Sequence, residues 1–165
     1  MKLLLKIISL LFLLNSCKST QVISHTDSTT QVSKELVGVW EFEVLKDHNG
    51  IKLDTVWHRF GFEIPEGPTI TLKQDGTYLK QFTPKNIDTG KWYYDEEKQT
   101  IFYLLYYSKP YGPVAKDLIQ RGQAKKDSNG DYYEEITSKV FEFSKDKLTL
   151  VERGNRRRTF RKRKE

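Results

Sequence analysis

Apolar and polar residues alternate over short segments from residue 36 onward. In the first segment, Val37–Leu45, Trp40 and Phe42 lie on one face and Glu41 and Glu43 on the other. A period of two is typical of a strand with one buried face, and no segment keeps a helical period over three turns. Further strands are predicted at residues 69–73, 77–83, 90–94, 100–108, 132–137, 139–143, 147–151 and 156–162.

Turn residues lie between these segments and indicate hairpins. Asp75-Gly76 and Asp95–Lys98 each separate two strands, Asn49-Gly50 follows the first strand, and Gly154-Asn155 precedes the last. Glycine and asparagine accept the positive φ angles that tight turns require. About eight to ten closely spaced strands with such turns predict an all-β fold, either an antiparallel meander β-barrel or a sandwich.

Two segments do not follow the alternation. Residues 61–68 contain Pro65, Gly67 and Pro68 and are predicted to form a loop. Residues 114–121 fit either a strand or two turns of helix, because prolines interrupt the chain just before them and the segment is short. The sequence leaves that choice open.

The first 17 residues have a different pattern. Residues 3–14 are almost wholly apolar, Lys2 makes the start positive, and Ser16 precedes Cys17, the single cysteine of the chain. This run is shorter than the roughly 20 residues that span a bilayer, so residues 1–16 are predicted to be a cleaved export signal. The ending Leu14–Cys17 resembles the lipobox of bacterial lipoproteins, which implies cleavage before Cys17 and attachment of lipid to it. The alternative is an ordinary secretory signal followed by an unrelated thiol.

Composition divides the remaining chain into a tether and one domain. Residues 17–35 begin with the cysteine, are rich in Ser, Thr and Gln, and are predicted to form a flexible tether. Residues 36–165 are long enough for a single domain with its own hydrophobic core.

The net charge of +6 is concentrated at the end of the chain, where residues 153–165 carry eight basic side chains and one acidic one. Nucleic acid is the usual partner of such a segment, but an exported protein seldom meets it, so anionic lipid is the expected partner. The alternative is a solvated last strand with a frayed basic end. The candidate anionic-surface residues are Arg156, Arg157, Arg161, Lys162, Arg163 and Lys164.

The order of several short motifs resembles a known family. Leu36-x-Gly38-x-Trp40 resembles the Gly-x-Trp signature of lipocalins, and it is followed by Lys73–Tyr78, Gly90–Trp92 and Leu148–Leu150. Over about residues 36–162 the sequence therefore resembles the lipocalin-like lipoproteins of Bacteroidetes. The resemblance implies an eight-stranded antiparallel barrel, a size at which the mouth can hold one small apolar ligand.

The same resemblance assigns roles at the barrel end. Gly38 would let a neighbouring strand approach closely, and Trp40 would plug the narrow end. In lipocalins an arginine near the last strand packs over that tryptophan. Arg158 shares the parity of Phe160, so it is the candidate for this cation–π contact. The alternative is that the arginines point to water and that Trp40 is simply a core residue.

Aromatic residues are numerous, with nine Phe, nine Tyr and three Trp in the chain. Such side chains can either line a ligand cavity or fill it, and the sequence does not decide between the two. The segment 100–108 is apolar or aromatic on both faces, which is expected of a strand whose outer face is also covered or binds something. The candidate ligand-lining residues are Phe42, Trp92, Phe102 and Tyr103.

Catalytic and metal-binding patterns are weak. His25, His48 and His58 lack the spacing of metal ligands, and no Ser/His/Asp arrangement or glycine-rich phosphate loop fits the strand pattern. We therefore expect no catalytic residues, no metal and no cofactor.

Two functions remain from different classes. The first is a non-catalytic, membrane-anchored lipoprotein of the cell envelope that binds a small hydrophobic ligand. The second is an envelope scaffold with a filled barrel, in which Tyr106, Tyr107 and Tyr111 or the basic end contact a protein of unknown identity or anionic lipid. Lys18 follows the cysteine instead of an aspartate, which predicts transfer to the outer membrane, and no acidic run follows, which favours its periplasmic face.

Overall fold

The computed structural model of the chain describes residues 32–164. Cys17, the predicted export signal and residues 17–31 of the predicted tether lie outside this range, so what the sequence predicts for them stays a prediction. The elements within the range are β1 (Gly38–Lys46), β2 (Val56–His58), β3 (Gly61–Glu63), β4 (Thr69–Leu72), β5 (Thr77–Thr83), β6 (Asn86–Asp95), β7 (Thr100–Tyr106), α1 (Pro113–Gln120), β8 (Lys125–Lys126), β9 (Tyr132–Phe143), β10 (Lys147–Val151), a 3-10 turn (Arg153–Asn155) and β11 (Arg157–Lys162).

Eight strands form a closed antiparallel barrel. Their order is β10-β11-β1-β4-β5-β6-β7-β9, and the sheet closes because β9 also pairs with β10. β8 adds two residues to the edge of β9, and β2 pairs with β3 in a separate two-stranded sheet. The prediction of an all-β antiparallel meander barrel is confirmed. Within residues 32–164 no helix combines the length and apolar character that crossing a bilayer requires.

The two ends of the barrel differ in their connections. One end, here called the plugged end, carries residues 32–37 and the short turns at 73–76, 96–99 and 144–146. The other end, here called the mouth end, carries the long connections at 47–68 and 107–131, the tight turn after β5, and residues 152–156. The long segments that could cover the barrel interior therefore lie only at the mouth end.

The hydrophobic core lies inside the barrel and is densest toward the plugged end. Alternate residues of each strand contribute to it, because successive side chains point to opposite faces of the sheet. Val32, Val37 and Phe42 are partly buried and pack against this cluster. The core consists of Leu36, Trp40, Ile70, Leu72, Tyr78, Trp92, Tyr94, Ile101, Tyr103, Val140, Leu148, Leu150 and Phe160.

Several predicted boundaries are corrected. The two strands predicted at 132–137 and 139–143 are one strand, β9, because Ser138 continues the ladder opposite Ile101. The predicted loop 61–68 contains β3. The segment at 114–121 is the helix α1, which begins with Pro113 at a position where a proline costs no backbone hydrogen bond.

Candidate functional site

Trp40 closes the plugged end of the barrel. Its indole is fully buried, and its Nε1–H donates a 2.8 Å hydrogen bond to the carbonyl oxygen of Leu36, which lies at the end of the preceding turn. The Lys162 ammonium lies 5.1 Å from the Trp40 ring and donates to the carbonyl oxygen of Glu35 at 3.2 Å. The space beside Gly38 is occupied by the Lys162 side chain, which a Cβ at Gly38 would overlap. Gly38, Trp40 and Lys162 thus form one layer.

The prediction that Arg158 covers Trp40 is wrong. Trp40 lies opposite Lys162 in the ladder between β1 and β11, whereas Arg158 lies opposite Leu45. Lys162 and Arg158 have the same parity, so both fit the alternation. They are four residues apart, or about 13 Å along a strand, and only the register decides which of them reaches the indole. Arg158 instead lies 5.7 Å from the ring of Phe42, nearer the mouth end.

This reassignment is testable with double-mutant cycles based on Trp40→Leu, which removes the aromatic face. We expect the pair Trp40 and Lys162 to show a coupling of about 0.5–1 kcal/mol, the usual range of a cation–π contact at a partly exposed site. The pair Trp40 and Arg158 serves as the control, and its coupling should be close to zero because the side chains do not touch. Urea unfolding of the single and double variants gives both values. A larger coupling for Arg158 than for Lys162 would contradict the register.

The four candidate ligand-lining residues are not brought together. Trp92 is buried at the plugged end, where its Nε1–H donates to the carbonyl oxygen of Lys73 at 3.0 Å. Phe102 lies on the outside of the barrel, stacked on Tyr93 with a centroid distance of 4.7 Å, so its assignment to a ligand cavity is corrected. It pairs with Thr137, between the inward-facing Ile101 and Tyr103. Phe42 and Tyr103 face the interior.

Two tyrosines form the floor of the part of the barrel interior that lies toward the mouth end, here called the upper interior. The rings of Tyr78 and Tyr103 meet edge to face at a centroid distance of 4.9 Å, and both are buried. Gly90 lies opposite Tyr78, and a Cβ there would overlap the carbonyl oxygen of Leu104 and press on the Tyr78 ring. The Tyr103 hydroxyl is buried, and Ser138 approaches it without completing a hydrogen bond of normal geometry. A polar atom without a full partner therefore lies inside the barrel.

Lys80 stands directly above this floor. Its Nζ lies 3.4 Å from the centroid of the Tyr103 ring, and it has neither an ion pair nor a hydrogen bond with any residue between 32 and 164. Lys80 is inward because it shares the parity of the buried Tyr78 on β5. A half-buried ammonium ion whose nearest partner is the face of an aromatic ring, with no ion pair in residues 32–164, is a costly arrangement.

Burial dominates the electrostatics of these groups. It lowers the pKa of Lys80 to about 8, and the carboxylate of Asp88, opposite Lys80 in the ladder, partly opposes that change. Burial raises the pKa of Tyr78 to about 12, and the charges of Asp88 and Glu134 act in the same direction. Burial also raises the pKa of Tyr103. The upper interior therefore holds a weakly basic amine beside two neutral phenols.

An ion pair lies on the opposite wall. The Nε of Arg158 is 2.6 Å from Oε1 of Glu152, and its Nη2 donates to Oε2 at 3.3 Å. Both side chains are partly buried, and the Nε–H does not point at its carboxylate partner. With Phe42 beneath the guanidinium, this wall combines an aromatic face with an ion pair. Lys80 thus differs from Arg158, because within residues 32–164 only Arg158 forms an ion pair with a carboxylate.

The predicted anionic-surface residues do not form one patch. Arg156 and Arg157 lie at the mouth end, whereas Lys162, Arg163 and Lys164 lie at the plugged end. Arg161 pairs with Glu43, and Arg163 pairs with Glu41, so two of the six charges are already matched on the outer face.

The tyrosines of the predicted partner surface line a groove outside the barrel. Tyr106 and Tyr107 border a surface pocket of about 370 Å³, together with Lys109 and Asp131, which form an ion pair of 2.7 Å. Tyr111 packs edge to face on Tyr132 at 5.9 Å. In residues 32–164 no group of three or more His, Cys, Asp or Glu side chains is placed to hold a metal ion.

Sequence reasoning missed Lys80. The signal was available, because the alternation in residues 77–83 places Lys80 on the same face as Tyr78. A lysine at an inward position of an otherwise apolar strand face is unusual and indicates either a partner or a function.

Comparisons with known proteins add two similar solved structures. No protein-family model matches the sequence, and no curated protein matches it. A lipocalin-like protein from Bacteroides uniformis ATCC 8492 is 17% identical, with a TM-score of 0.40, and the match covers 78% of this chain and 99% of that one. An uncharacterized protein from Bacteroides eggerthii DSM 20697 is 17% identical, with a TM-score of 0.43, and the match covers 77% of this chain and 98% of that one.

Proposed function

We propose that this protein is a non-catalytic binding protein of the cell envelope whose barrel holds one small, mainly hydrophobic molecule. The polar group of that molecule would contact Lys80, and its apolar part would lie against Phe42 and the tyrosine floor. A closed eight-stranded barrel is just wide enough either to be filled by side chains or to hold one small ligand, and the inward position of Lys80 favours the second. The long connections are at the mouth end, so the ligand would enter there.

The observation that carries this proposal is the position of Lys80. A half-buried amine without an ion pair in residues 32–164 lowers the stability of the empty barrel, and desolvation lowers its pKa to about 8. Strongly perturbed titratable groups in a concave site are candidates for function. A ligand oxygen at this position would accept a hydrogen bond from Nζ, and it would also supply the Tyr103 hydroxyl with a partner.

The location in the envelope rests on the N-terminal sequence. We propose that Cys17 carries lipid, that residues 18–31 continue as a tether, and that the barrel is held at the periplasmic face of the outer membrane. Such a protein can bind a hydrophobic molecule close to the membrane that supplies or receives it. Mass spectrometry of the N-terminal peptide from envelope preparations tests the acylation, and protease treatment of intact cells tests the face of the membrane.

Ligand binding is tested by native mass spectrometry of residues 32–165, which contain every strand of the barrel. The protein is purified without detergent and then exposed to a lipid extract of the envelope. We expect a discrete added mass that is lost on unfolding. Lys80→Met should lose most of this adduct, whereas Lys91→Met, with its side chain on the outer face of β6, should retain it. An adduct-free spectrum of the unaltered barrel after exposure would overturn the proposal.

A further inference from the structure

Exposed apolar side chains are concentrated at the mouth end. Nine large apolar residues of the described chain are strongly exposed, and all except Phe141 lie in or beside the mouth-end connections. Soluble proteins seldom expose such a concentration unless it contacts a partner or a membrane. The eight residues are Ile51, Trp57, Phe60, Phe62, Ile64, Phe82, Ile87 and Val114.

The hairpin formed by β2 and β3 is the centre of this surface. Trp57 lies opposite Phe62, with ring centroids 5.3 Å apart, and Phe60 stands at the tip with 93% of its surface exposed. Val56 is on the other face of the hairpin and is buried against the protein. The aromatic face therefore points away from the barrel.

Within residues 32–164 no strand other than β2 and β3 pairs with this sheet. Strands of three residues give little stability of their own in water, so the aromatic face contributes nothing to a core. Trp57 is 76% exposed and Phe62 is 61% exposed. Trp suits a membrane interface because its indole joins an apolar body to a polar N–H, and Phe adds apolar surface that can be buried at the acyl boundary.

The charged residues at the mouth end indicate the kind of membrane surface that this end would contact. Five of its basic residues have no ion pair with any residue of the described chain; the acids Asp54, Glu63 and Glu152 are each paired, and Asp47 and Glu66 are not. The guanidinium of Arg59 lies 5.3 Å from the Phe60 ring at the hairpin tip. Free cations thus outnumber free carboxylates around the exposed aromatics, which favours contact with anionic headgroups above an acyl layer. The five basic residues are Lys46, Arg59, Lys85, Arg153 and Arg156.

We propose that the β2–β3 hairpin inserts into the interface of an anionic lipid bilayer and turns the mouth of the barrel toward the membrane. In this orientation a hydrophobic ligand passes between the acyl layer and the barrel without crossing bulk water. The proposal extends the binding function proposed above, but the insertion of the hairpin does not depend on ligand binding.

The length of chain before the barrel is compatible with this orientation. Cys17 and Val32 are 15 residues apart, which corresponds to an extended reach of about 50 Å. The longest strand, β9, has 12 residues and therefore spans about 40 Å. The chain can thus run from an acylated Cys17 past the barrel to its plugged end while the mouth end touches the same bilayer. This step rests on the proposed acylation of Cys17.

Trp57 provides a direct measurement. The chain has three tryptophans, and Trp40 and Trp92 are buried, so the exposed indole belongs to Trp57. The acylated protein is placed in vesicles of phosphatidylethanolamine and phosphatidylglycerol that contain brominated acyl chains, and its fluorescence is compared with that in phosphatidylcholine vesicles. We expect a blue shift, quenching by the brominated lipid and protection from acrylamide in the anionic vesicles. Trp57→Phe should remove this signal.

Variants and the unanchored barrel separate the possible outcomes. Phe60→Ser/Phe62→Ser should weaken the binding of residues 32–165 to anionic vesicles on the order of a hundredfold, whereas Phe141→Ser, on the outside of β9, should leave it unchanged. Trp57 that remains open to acrylamide in the anionic vesicles would overturn the proposal. So would shielding of Trp57 that rises with protein concentration without vesicles, because a second copy would then be the occupant. Neither Trp57 fluorescence nor vesicle binding requires a bound ligand. Failure of the proposed ligand binding can therefore be distinguished from failure of hairpin insertion.

Discussion

Replacement of Trp40 with alanine is expected to lower the free energy of unfolding by about 4 kcal/mol, because substitution of a buried aromatic residue by alanine removes both apolar burial and packing contacts. The indole is fully buried, and its Nε1–H donates a hydrogen bond to the carbonyl oxygen of Leu36. Its loss also uncovers the Lys162 stem that lies against it. Urea unfolding followed by far-UV circular dichroism measures the change.

Trp57→Ala is the matched control for this experiment. Trp57 is 76% exposed, so the same substitution should change the free energy of unfolding by less than about 0.5 kcal/mol. A Trp40→Ala protein that unfolds at the same urea concentration as the unaltered one would show that the plug does not stabilise the barrel. An equal loss for Trp57→Ala would show that the hairpin belongs to the core.

Replacement of Lys80 with methionine is expected to stabilise the empty barrel by about 2 kcal/mol. A pKa of about 8 in the folded protein, against 10.5 for an ordinary lysine, means that retaining the charge costs on the order of 3 kcal/mol. Contact with the Tyr103 ring offsets about 1 kcal/mol of this cost. Methionine has a similar length and no charge, so it should pack against the same ring.

The pH dependence of this gain distinguishes the charge from the packing. Between about pH 8 and 10.5 the unfolded lysine still binds a proton that the folded Lys80 has released, so the stability of the unaltered protein rises with pH in this window. The advantage of Lys80→Met should therefore be complete below pH 8 and should shrink toward pH 10.5. Tyr78 titrates in both proteins, and its contribution cancels in the difference. An advantage that does not change with pH would indicate packing alone.

Together, the unfolding and ligand-binding measurements on Lys80→Met would show that Lys80 lowers the stability of the barrel and strengthens ligand binding. If the proposed function holds, Lys80→Met is the more stable protein and the weaker binder. Lys91→Met should show neither effect, because Lys91 lies on the outside of the barrel.

The local pattern of the chain predicted most of the barrel strands. Strands 77–83 and 147–151 have the predicted bounds, because alternation and a flanking turn define each of them completely. The alternation of β7 predicts that Phe102 lies on the opposite face from Ile101 and Tyr103. Because both faces of β7 are apolar, it did not indicate which of the two faces the interior. The segment 114–121 was ambiguous, since its eight residues satisfy more than one periodicity.

Features that depend on long-range register could not be predicted. Trp40 and Lys162 are 122 positions apart, and no local pattern distinguishes Lys162 from Arg158 as its partner. The β2–β3 hairpin was missed because its strands are only three residues long, and its aromatic face does not belong to the core. The alternation of a strand indicates which residues share a face but not which partner that face will meet.

The closure of the sheet through β11 has a consequence for the order of folding. β11 lies between β10 and β1, so it joins the first barrel strand to the last hairpin. Until residues 157–162 are present, β10 and β1 each have an open edge. The pairing of β1 with β11, which are the barrel strands farthest apart in sequence, must therefore form last. If the chain is exported from its N-terminus as proposed, the barrel therefore cannot close until residues 157–162 have also crossed the membrane. Its final strand would complete the barrel only on the far side.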